Sequence, residues 1–323
     1  MGLTGSIVKT CGRNGRTVTM TFKSTVLGTG SARPTIERHH SAHALNVHEQ
    51  FYLIDCGEGT QTRLLECGIN PLKLNAAFIT HLHGDHVYGL MPLISSMGLM
   101  GRRTPFHVYA PSPMDEVMKN HYKYFDTNLP FEVVYHEIDA TKHKMVYENS
   151  VMEVWSIPLR HRLPTSGYLF REKTPALNVR KEAIEKYGLG IAQITAAKRG
   201  EDIFDADGQL LARNEELTYM PYSPRSYAYC SDTLYSTRAA GLVKGVNILY
   251  HEATFGEDNK AMAKETGHST ALQAAKAAVK AEADKLLIGH FSSRYKDVSD
   301  LVEEAQAIFP PHAAAQDLHT YAL

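Results

Sequence analysis

One stretch of the sequence, Phe78-Ile79-Thr80-His81-Leu82-His83-Gly84-Asp85-His86, constrains the fold and chemistry of this chain more than any other. An apolar, strand-like run from Ala76 to Ile79 stops there, and three imidazoles and a carboxylate follow within six residues. Such a density of ligand-type side chains directly after a strand favours a metal site over a surface histidine cluster that binds nothing.

The spacing of these side chains predicts how they divide between metal ions. Alternate side chains of an extended segment point the same way, so His81 and His83 can bind one ion. A turn at Gly84 would then direct Asp85 and His86 toward a second, neighbouring ion. Because nitrogen and oxygen donors are present without thiolate, zinc is the first candidate, with manganese or iron as alternatives.

Length and composition place the chain among globular proteins. Its 323 residues, 43% hydrophobic and 21% charged, are enough for one large α/β domain or two halves. No apolar run approaches the ~20 residues that span a bilayer, and the N-terminus lacks the apolar segment of a signal peptide. We therefore expect a cytoplasmic protein without membrane association. Its cysteines should be reduced thiols, namely Cys11, Cys56, Cys67 and Cys230.

Two segments differ in character from the rest. Residues 1–19 are small, polar and glycine-containing, and we expect little function in this N-terminal extension. An insert at about 171–225 is rich in charge and glycine and contains one helix-like piece from Val179 to Tyr187. A solvated linker is one interpretation of the insert, but so long an excursion inside a compact domain is usually functional or disordered. The net charge of -1 means that any nucleic-acid surface must be a local patch.

Further ligand-type residues recur just after predicted strands. A lone histidine in a loop is usually only a polar loop residue, but repetition at strand ends favours a common site, because α/β scaffolds present their loops there. These residues are His161 after strand 151–157, Asp232 after strand 226–230, His251 and Glu252 after strand 246–250, and His290 after strand 285–288.

The carboxylate of Asp55, after a strand at 50–54, has two interpretations. It either orients a metal ligand from behind or caps the helix that starts near Thr60.

His268 has a distinctive setting. It precedes an alanine-rich helix predicted over 271–283. The positive end of that helix disfavours imidazolium but favours a nearby phosphate. A carboxylate such as Glu252 beside His268 would restore its proton affinity and fix its tautomer, which would make it a workable general acid.

Together these residues resemble a known family. The HxHxDH motif with His161, Asp232 and His290 resembles the dinuclear site of the metallo-β-lactamase fold, an α/β architecture arranged as a four-layer αββα sandwich of two similar halves. Five further segments resemble ribonuclease Z, the tRNA 3′-processing endoribonuclease family. They are Leu27-Gly28-Thr29-Gly30, Asp55-Cys56-Gly57-Glu58-Gly59-Thr60-Gln61, His251-Glu252-Ala253-Thr254-Phe255, Gly267-His268-Ser269-Thr270-Ala271 and Gly289-His290-Phe291-Ser292-Ser293-Arg294-Tyr295.

The resemblance implies a metal-binding catalytic domain over residues 20–323, with the insert as a flexible tRNA-binding arm. It implies two zinc ions per chain, precursor tRNA as substrate and a homodimer across which the arm works. The implied ligands are His81, His83 and His161 for one ion, Asp85, His86 and His290 for the other, and Asp232 as the bridge.

The same resemblance implies roles in the reaction. Asp85 would accept a proton from the attacking water, while Glu252 and His268 would protonate the leaving 3′-oxygen. The products would be tRNA with a 3′-hydroxyl and a trailer with a 5′-phosphate. Two segments depart from the family pattern: residues 34–39 read PTIERH where the family has PxKxRN, and residues 187–194 lack its glycine-proline motif.

Two other functions compete with this hypothesis. A metal-dependent phosphodiesterase or arylsulfatase-like hydrolase of small esters could use the same ions and acid, but it would have no use for the insert. A non-catalytic RNA-binding module is disfavoured, because every ligand position is filled.

Overall fold

The computed structural model describes residues 20–125 and 127–323, so the predicted extension at residues 1–19 lies outside the described residues. The described chain forms two compact units. The larger comprises Thr21–Arg171 and Arg225–Leu323, and the smaller contains the segment Glu172–Pro224. None of the helices in the described part of the chain is both long and apolar enough to cross a lipid bilayer.

The larger unit contains two seven-stranded sheets. In chain order its strands are β1 (Phe22–Gly28), β2 (Ala42–Val47), β3 (Gln50–Ile54), β4 (Leu74–Phe78), β5 (Phe106–Ala110), β6 (Val133–Glu137), β7 (Met145–Glu148), β8 (Met152–Pro158), β9 (Ser166–Glu172), and, after four short strands of the insert numbered β10 to β13, β14 (Ser226–Cys230), β15 (Ile248–Glu252), β16 (Lys285–Gly289), β17 (His312–Ala314) and β18 (Thr320–Ala322).

The helices of the larger unit cover the outer faces of these sheets. They are α1 (Thr60–Glu66), α2 (Gly84–Val87), α3 (Leu90–Leu99), α4 (Met114–Tyr124), and, after three helices of the insert numbered α5 to α7, α8 (Thr237–Leu242), α9 (Lys260–Thr266), α10 (Ala271–Ala281) and α11 (Ser299–Gln306). Short 3₁₀ turns lie at Pro71–Lys73 and Glu257–Asn259.

The two sheets have related topologies. The first runs β18-β1-β2-β3-β4-β5-β6 and the second β17-β16-β15-β14-β9-β8-β7. In each, a parallel set carries the crossover helices, β3 to β6 in the first sheet and β14 to β17 in the second. Parallel strands bring their carboxyl ends to one edge, where the loops that follow them can meet.

Alternation along the strands builds three hydrophobic layers. In β14, Tyr227 and Tyr229 point into the core between the two sheets, while Ala228 and Cys230 face the helices. In β4, Phe78 enters the same intersheet core, and Ala77 packs on the helical side of its own sheet. Strands buried on both faces are therefore mainly apolar. The predicted α/β four-layer αββα sandwich is confirmed.

Among the element boundaries that differ from the sequence-based prediction, two lie beside the site. The strand expected over 246–250 is β15, Ile248–Glu252, so His251 and Glu252 end the strand rather than follow it. The helix expected over 271–283 ends at Ala281, because Glu282 takes a left-handed conformation with φ 48°.

The segment Glu172–Pro224 is a folded unit with elements of its own. It contains β10 (Asn178–Val179), α5 (Lys181–Tyr187), α6 (Ile191–Lys198), β11 (Ile203–Phe204), β12 (Leu210–Ala212), α7 (Asn214–Leu217) and β13 (Thr218–Tyr219). Ala183, Leu189, Ala197, Ile203 and Leu217 are buried together in a small core. A solvated linker would have no such core, so that interpretation does not fit this segment.

Candidate metal centre

The seven predicted metal ligands come from separate elements and converge. His81 and His83 follow β4, and Asp85 and His86 lie in α2. The other three, His161, Asp232 and His290, follow β8, β14 and β16, respectively. Their donor atoms form two groups, within each of which all atoms lie within 4.8 Å of one another. The groups are His81, His83, His161 and Asp232, and Asp85, His86 and His290.

The first group is built around His83. Its Nδ1 lies 2.9 Å from Nε2 of His81 and 3.3 Å from Nε2 of His161. Oδ2 of Asp232 completes the group, 3.5 Å from His81 Nε2 and 3.8 Å from His161 Nε2. Three imidazole nitrogens and a carboxylate oxygen are a donor set that suits zinc.

The second group faces the other oxygen of the same carboxylate. Oδ1 of Asp232 lies 3.4 Å from Nε2 of His86 and 3.1 Å from Nε2 of His290. Oδ2 of Asp85 lies 3.5 Å from each of these nitrogens. Asp232 thus presents one oxygen to each group, as a bridging ligand must.

A hydrogen bond at the far ring atom fixes which nitrogen four of these histidines present to the cluster. Such partners set the tautomer and orient the ring. The Nδ1 contacts are Thr80 Oγ1 at 3.0 Å for His81, Asp55 Oδ2 at 2.8 Å for His86, the Gly267 carbonyl at 2.9 Å for His161 and Thr254 Oγ1 at 2.9 Å for His290.

Asp55 lies directly behind the cluster. Besides the contact with His86, its carboxylate accepts hydrogen bonds from the backbone N–H and the hydroxyl of Thr80, at 2.8 and 3.0 Å. The N-cap of α1 is Gly59. Asp55 therefore does not cap α1, and its contact with His86 is the one that orientation of a ligand requires.

The cluster fits divalent cations. Nε2 of His86 and Nε2 of His290 are buried and have no hydrogen-bond partner among the described residues, although carboxylate oxygens lie within 3.5 Å. Buried polar atoms without a partner are costly unless something binds them. Burial lowers the pKa of His81, His83 and His161, so these rings are held neutral, the form that binds metals.

The carboxylates of the cluster are ionised. Burial opposes the charge of Asp232, but the imidazoles of His290, His86 and His81 hold its pKa well below the usual range. Burial likewise opposes the charge of Asp85, and its pKa is held well below the usual range by His86 and His290. Burial disfavours the charge of His86, yet the pKa of this ring is raised by Asp232, Asp85 and Asp55. The ionised carboxylates of Asp232 and Asp85 are the groups of the cluster that attract a cation.

His268 and Glu252 form a buried pair beside the cluster. Oε1 of Glu252 lies 3.0 Å from Nδ1 of His268, and Oε2 accepts a 2.6 Å hydrogen bond from Thr254 Oγ1. Burial alone would lower the pKa of His268, but the charge of Glu252 and its hydrogen bond raise the pKa to about 9. Burial opposes the charge of Glu252, and His268 lowers the pKa of this carboxyl nonetheless. The charge of Glu252 therefore favours the protonated form of His268.

A cavity of about 470 Å³ opens onto these groups. Its lining includes Asp85, Asp232, His83, His268 and His290. Donors that could hold metal and the protonated ring thus face the same space, as a hydrolytic site requires.

Two residues of the site, Thr254 and Ala32, were not predicted from the sequence, and one candidate residue, His251, does not join the site. Thr254 bridges Glu252 and His290, and the backbone N–H of Ala32 donates a 2.8 Å hydrogen bond to Asp85. Thr254 stands in the segment that resembles the family, which was the available signal for it. His251 is buried with its Nδ1 on the Glu252 carbonyl at 2.7 Å, outside both ligand groups.

Comparison with known proteins identifies the family. A family model described as "Anti-Pycsar protein Apyc1" matches residues 22–124. The Ribonuclease Z of Porphyromonas gingivalis strain W83 is 43% identical over 296 residues, which are 92% of this chain and 97% of that protein. The Ribonuclease Z of Cytophaga hutchinsonii is 40% identical over 290 residues, 90% of this chain and 92% of that protein. The chain belongs to the ribonuclease Z family.

Solved structures agree with this membership at the level of fold. The short form of human tRNase Z aligns with a TM-score of 0.67 and 24% identity, over 93% of this chain and 98% of that one. The metallo-beta-lactamase fold protein YhfI from Bacillus subtilis aligns with a TM-score of 0.66 and 17% identity, over 94% of this chain and all (100%) of that one. These likenesses confirm the metallo-β-lactamase fold for this ribonuclease Z family member.

Proposed function

We propose that this chain is a metal-dependent endoribonuclease that removes the 3′ trailer from precursor tRNA. It hydrolyses one phosphodiester bond, leaving a 3′-hydroxyl on the tRNA and a 5′-phosphate on the trailer. The observation that carries the proposal is the position of Asp232, with one oxygen toward each ligand group and the His268–Glu252 pair beside it. Family membership supports RNA as the substrate.

In this proposal, two ions occupy the two groups, with Asp232 as the shared ligand. We take zinc as the metal, because nitrogen donors predominate and no thiolate contributes, and manganese or iron would suit the same donors. When bound, two such ions would supply positive charge near the scissile phosphate and would lower the pKa of the attacking water.

The chain's own residues complete the reaction. Asp85, ionised and open to the cavity, accepts a proton from the attacking water. His268, held protonated by Glu252, donates its proton to the departing 3′-oxygen. An alkoxide is a poor leaving group, so protonating it removes a large part of the barrier to breaking the bond.

The insert supplies a second element of the proposal. We assign Glu172–Pro224 as an arm that binds tRNA by its shape and its phosphates. We further assign a cytoplasmic location and a homodimeric state, across which the arm of one subunit serves the site of the other. The three free cysteines in the described part of the chain, Cys56, Cys67 and Cys230, suit a reducing compartment.

The test is cleavage of defined transcripts by the metal-loaded protein. One transcript carries a 3′ trailer and the other ends in CCA, and the cut is mapped to the nucleotide. We expect a single cut that releases the trailer. Intact trailer-bearing transcript would refute the proposal, and the CCA-ended transcript shows whether residues 34–39 still discriminate despite their departure from PxKxRN.

A further inference from the structure

The cavity at the candidate metal centre continues along the surface of the larger unit. It shares Arg162 with a neighbouring cavity of about 390 Å³. That cavity shares Arg160 with a third one of about 620 Å³. We call the second and third cavities together the basic path. It begins at the metal-ligand cluster and runs away from it across one face of the unit.

The basic path concentrates positive charge. Arg160, Arg162, Lys264 and Arg238 line it, and Glu265 is the one acidic residue among its lining. None of the four basic side chains forms an ion pair with any residue that the structure describes. In a chain of net charge -1, four unpaired cations along one path form the kind of local patch that binds a polyanion.

Hydrogen bonds fix the path relative to the metal ligands. The backbone N–H of Arg160 donates to Thr233 Oγ1 at 3.0 Å, and its carbonyl accepts a 2.8 Å hydrogen bond from the N–H of Leu234. Arg160 and Arg162 flank the ligand His161, and Thr233 follows the bridging Asp232. These hydrogen bonds anchor the backbone of Arg160 beside the cluster.

The path leaves the cluster on the side of His268. The rings of His161 and His268 lie 5.0 Å apart between centroids, and Gly267, the residue before His268, lines the second cavity. In the proposed reaction His268 protonates the departing 3′-oxygen. That oxygen belongs to the nucleotide upstream of the cut, so the upstream strand lies on the His268 side.

We propose that the basic path binds the phosphodiester backbone of the RNA strand upstream of the cut, which is the 3′ strand of the acceptor stem. This inference rests on the proposed function. Arginine and lysine contacts to phosphates set the register of a nucleic acid without reading its sequence. The path thus positions the scissile bond by holding the mature tRNA, and the trailer leaves in another direction.

The test compares binding of the two halves of the substrate. The triple variant Arg160→Gln, Arg238→Gln, Lys264→Gln is matched by a control, Lys276→Gln, Lys280→Gln, Lys285→Gln, whose exposed lysines line none of the three cavities. Each metal-loaded protein is titrated with a trailer-less tRNA and with a 5′-phosphorylated trailer oligonucleotide at several salt concentrations.

We expect the path variant to bind the trailer-less tRNA more weakly than the wild type does. The slope of log affinity against log salt concentration is negative, and it should become shallower by about 0.9 for each charge that is removed. Binding of the trailer oligonucleotide should stay as in the wild type, and the control should match the wild type on both ligands. Each single variant should show about one third of the change in slope that the triple variant shows. Such a proportional change is expected for lost phosphate contacts and not for misfolding of the triple variant.

Two results would overturn the inference. Equal slopes for the path variant and the control on trailer-less tRNA would show that these cations do not contact phosphate. Weakened binding of the trailer alone would show that the path holds the downstream strand. If the wild-type protein fails to cut precursor tRNA, the proposed function is refuted, and the strand assignment with it. If the wild-type protein cuts and the path variant keeps the wild-type salt slope on trailer-less tRNA, only the role of the basic path is refuted.

Discussion

Oε1 of Glu252 lies 3.0 Å from Nδ1 of His268, so a buried carboxylate contacts this ring at the edge of the cluster. Glu252 is the last residue of β15, and His268 follows Gly267, the left-handed C-cap of α9. The proposed acid role of His268 predicts that its loss affects chemistry rather than metal content.

The substitution His268→Ala should reduce cleavage of precursor tRNA by a factor on the order of 10² to 10⁴, the usual contribution of a general acid. Hydrolysis of bis(p-nitrophenyl) phosphate should fall far less, since nitrophenolate leaves without a proton. Rates on both substrates, with metal content measured in parallel, check this. Equal losses on both, or an unchanged rate on tRNA, would remove His268 from the acid role.

The substitution Asp232→Ala should lower metal occupancy, because one carboxylate contacts both ligand groups. We expect loss of at least one ion per chain and of nearly all activity. Elemental analysis after gel filtration measures the ions. The exposed Asp300→Ala on α11 is the control, and wild-type occupancy in Asp232→Ala would contradict the bridging role.

The substitution Thr254→Val removes the hydroxyl that contacts His290 Nδ1 and Glu252 without changing a metal ligand. Lost orientation of a ligand from behind costs about 10- to 100-fold in metal affinity or activity. Competition with a chelator measures the affinity. A variant that holds its metal as tightly as the wild type would show that this contact has no part in orienting His290.

The arm can be tested by replacing Glu172 to Tyr222 with a short glycine-serine linker. Cleavage of precursor tRNA should fall by orders of magnitude, while hydrolysis of a small chromogenic phosphodiester continues. Steady-state rates on both substrates decide between an RNA processing enzyme and a hydrolase of small esters. Unchanged cleavage of tRNA would exclude the arm from substrate binding.

His43 predicts how stability depends on pH. It is fully buried among tyrosines, with Nδ1 2.9 Å from Tyr227 Oη, and burial lowers its pKa to about 3. The unfolded chain takes up a proton near pH 6.5, but the folded chain does not. Stability should therefore fall as pH drops from about 6.5 toward 3, by up to ~1.4 kcal/mol per pH unit from this group.

Urea unfolding of metal-free wild type and His43→Phe between pH 5 and 7, at pH steps of about one unit, isolates this contribution, since the other histidines are common to both proteins. The free energy of unfolding should decline more steeply with falling pH in the wild type. Parallel pH profiles would show that His43 titrates normally in the folded state.

Much of the fold and site could be predicted from the sequence, for identifiable reasons. The HxHxDH turn has a fixed local geometry, and the strands before His161, Asp232 and His290 are apolar runs whose ends are visible in the sequence. Those features depend on neighbours along the chain. The prediction for strand 246–250 was displaced by two residues, because Asn247 is polar and the pairing with β16 extends through Glu252.

Other features depend on contacts between distant segments and could not be predicted. The support from Thr254 and the alignment of Arg160 with Lys264 arise only when β8, β14 and α9 are packed together. The bridging position of Asp232 was expected only from the family resemblance, since spacing along the chain does not show it. The elements inside the insert were also mostly missed, since α6 and the short strands carry weak periodicity in a charge-rich segment.

The central claim, water attack at phosphorus with departure of the 3′-oxygen, is tested most directly by cleaving precursor tRNA in water enriched in ¹⁸O and analysing both new ends by mass spectrometry. The account predicts one ¹⁸O atom in the 5′-phosphate of the trailer and an unlabelled 3′-hydroxyl on the tRNA. A 2′,3′-cyclic phosphate or a 3′-phosphate on the tRNA, or a trailer without the label, would contradict it.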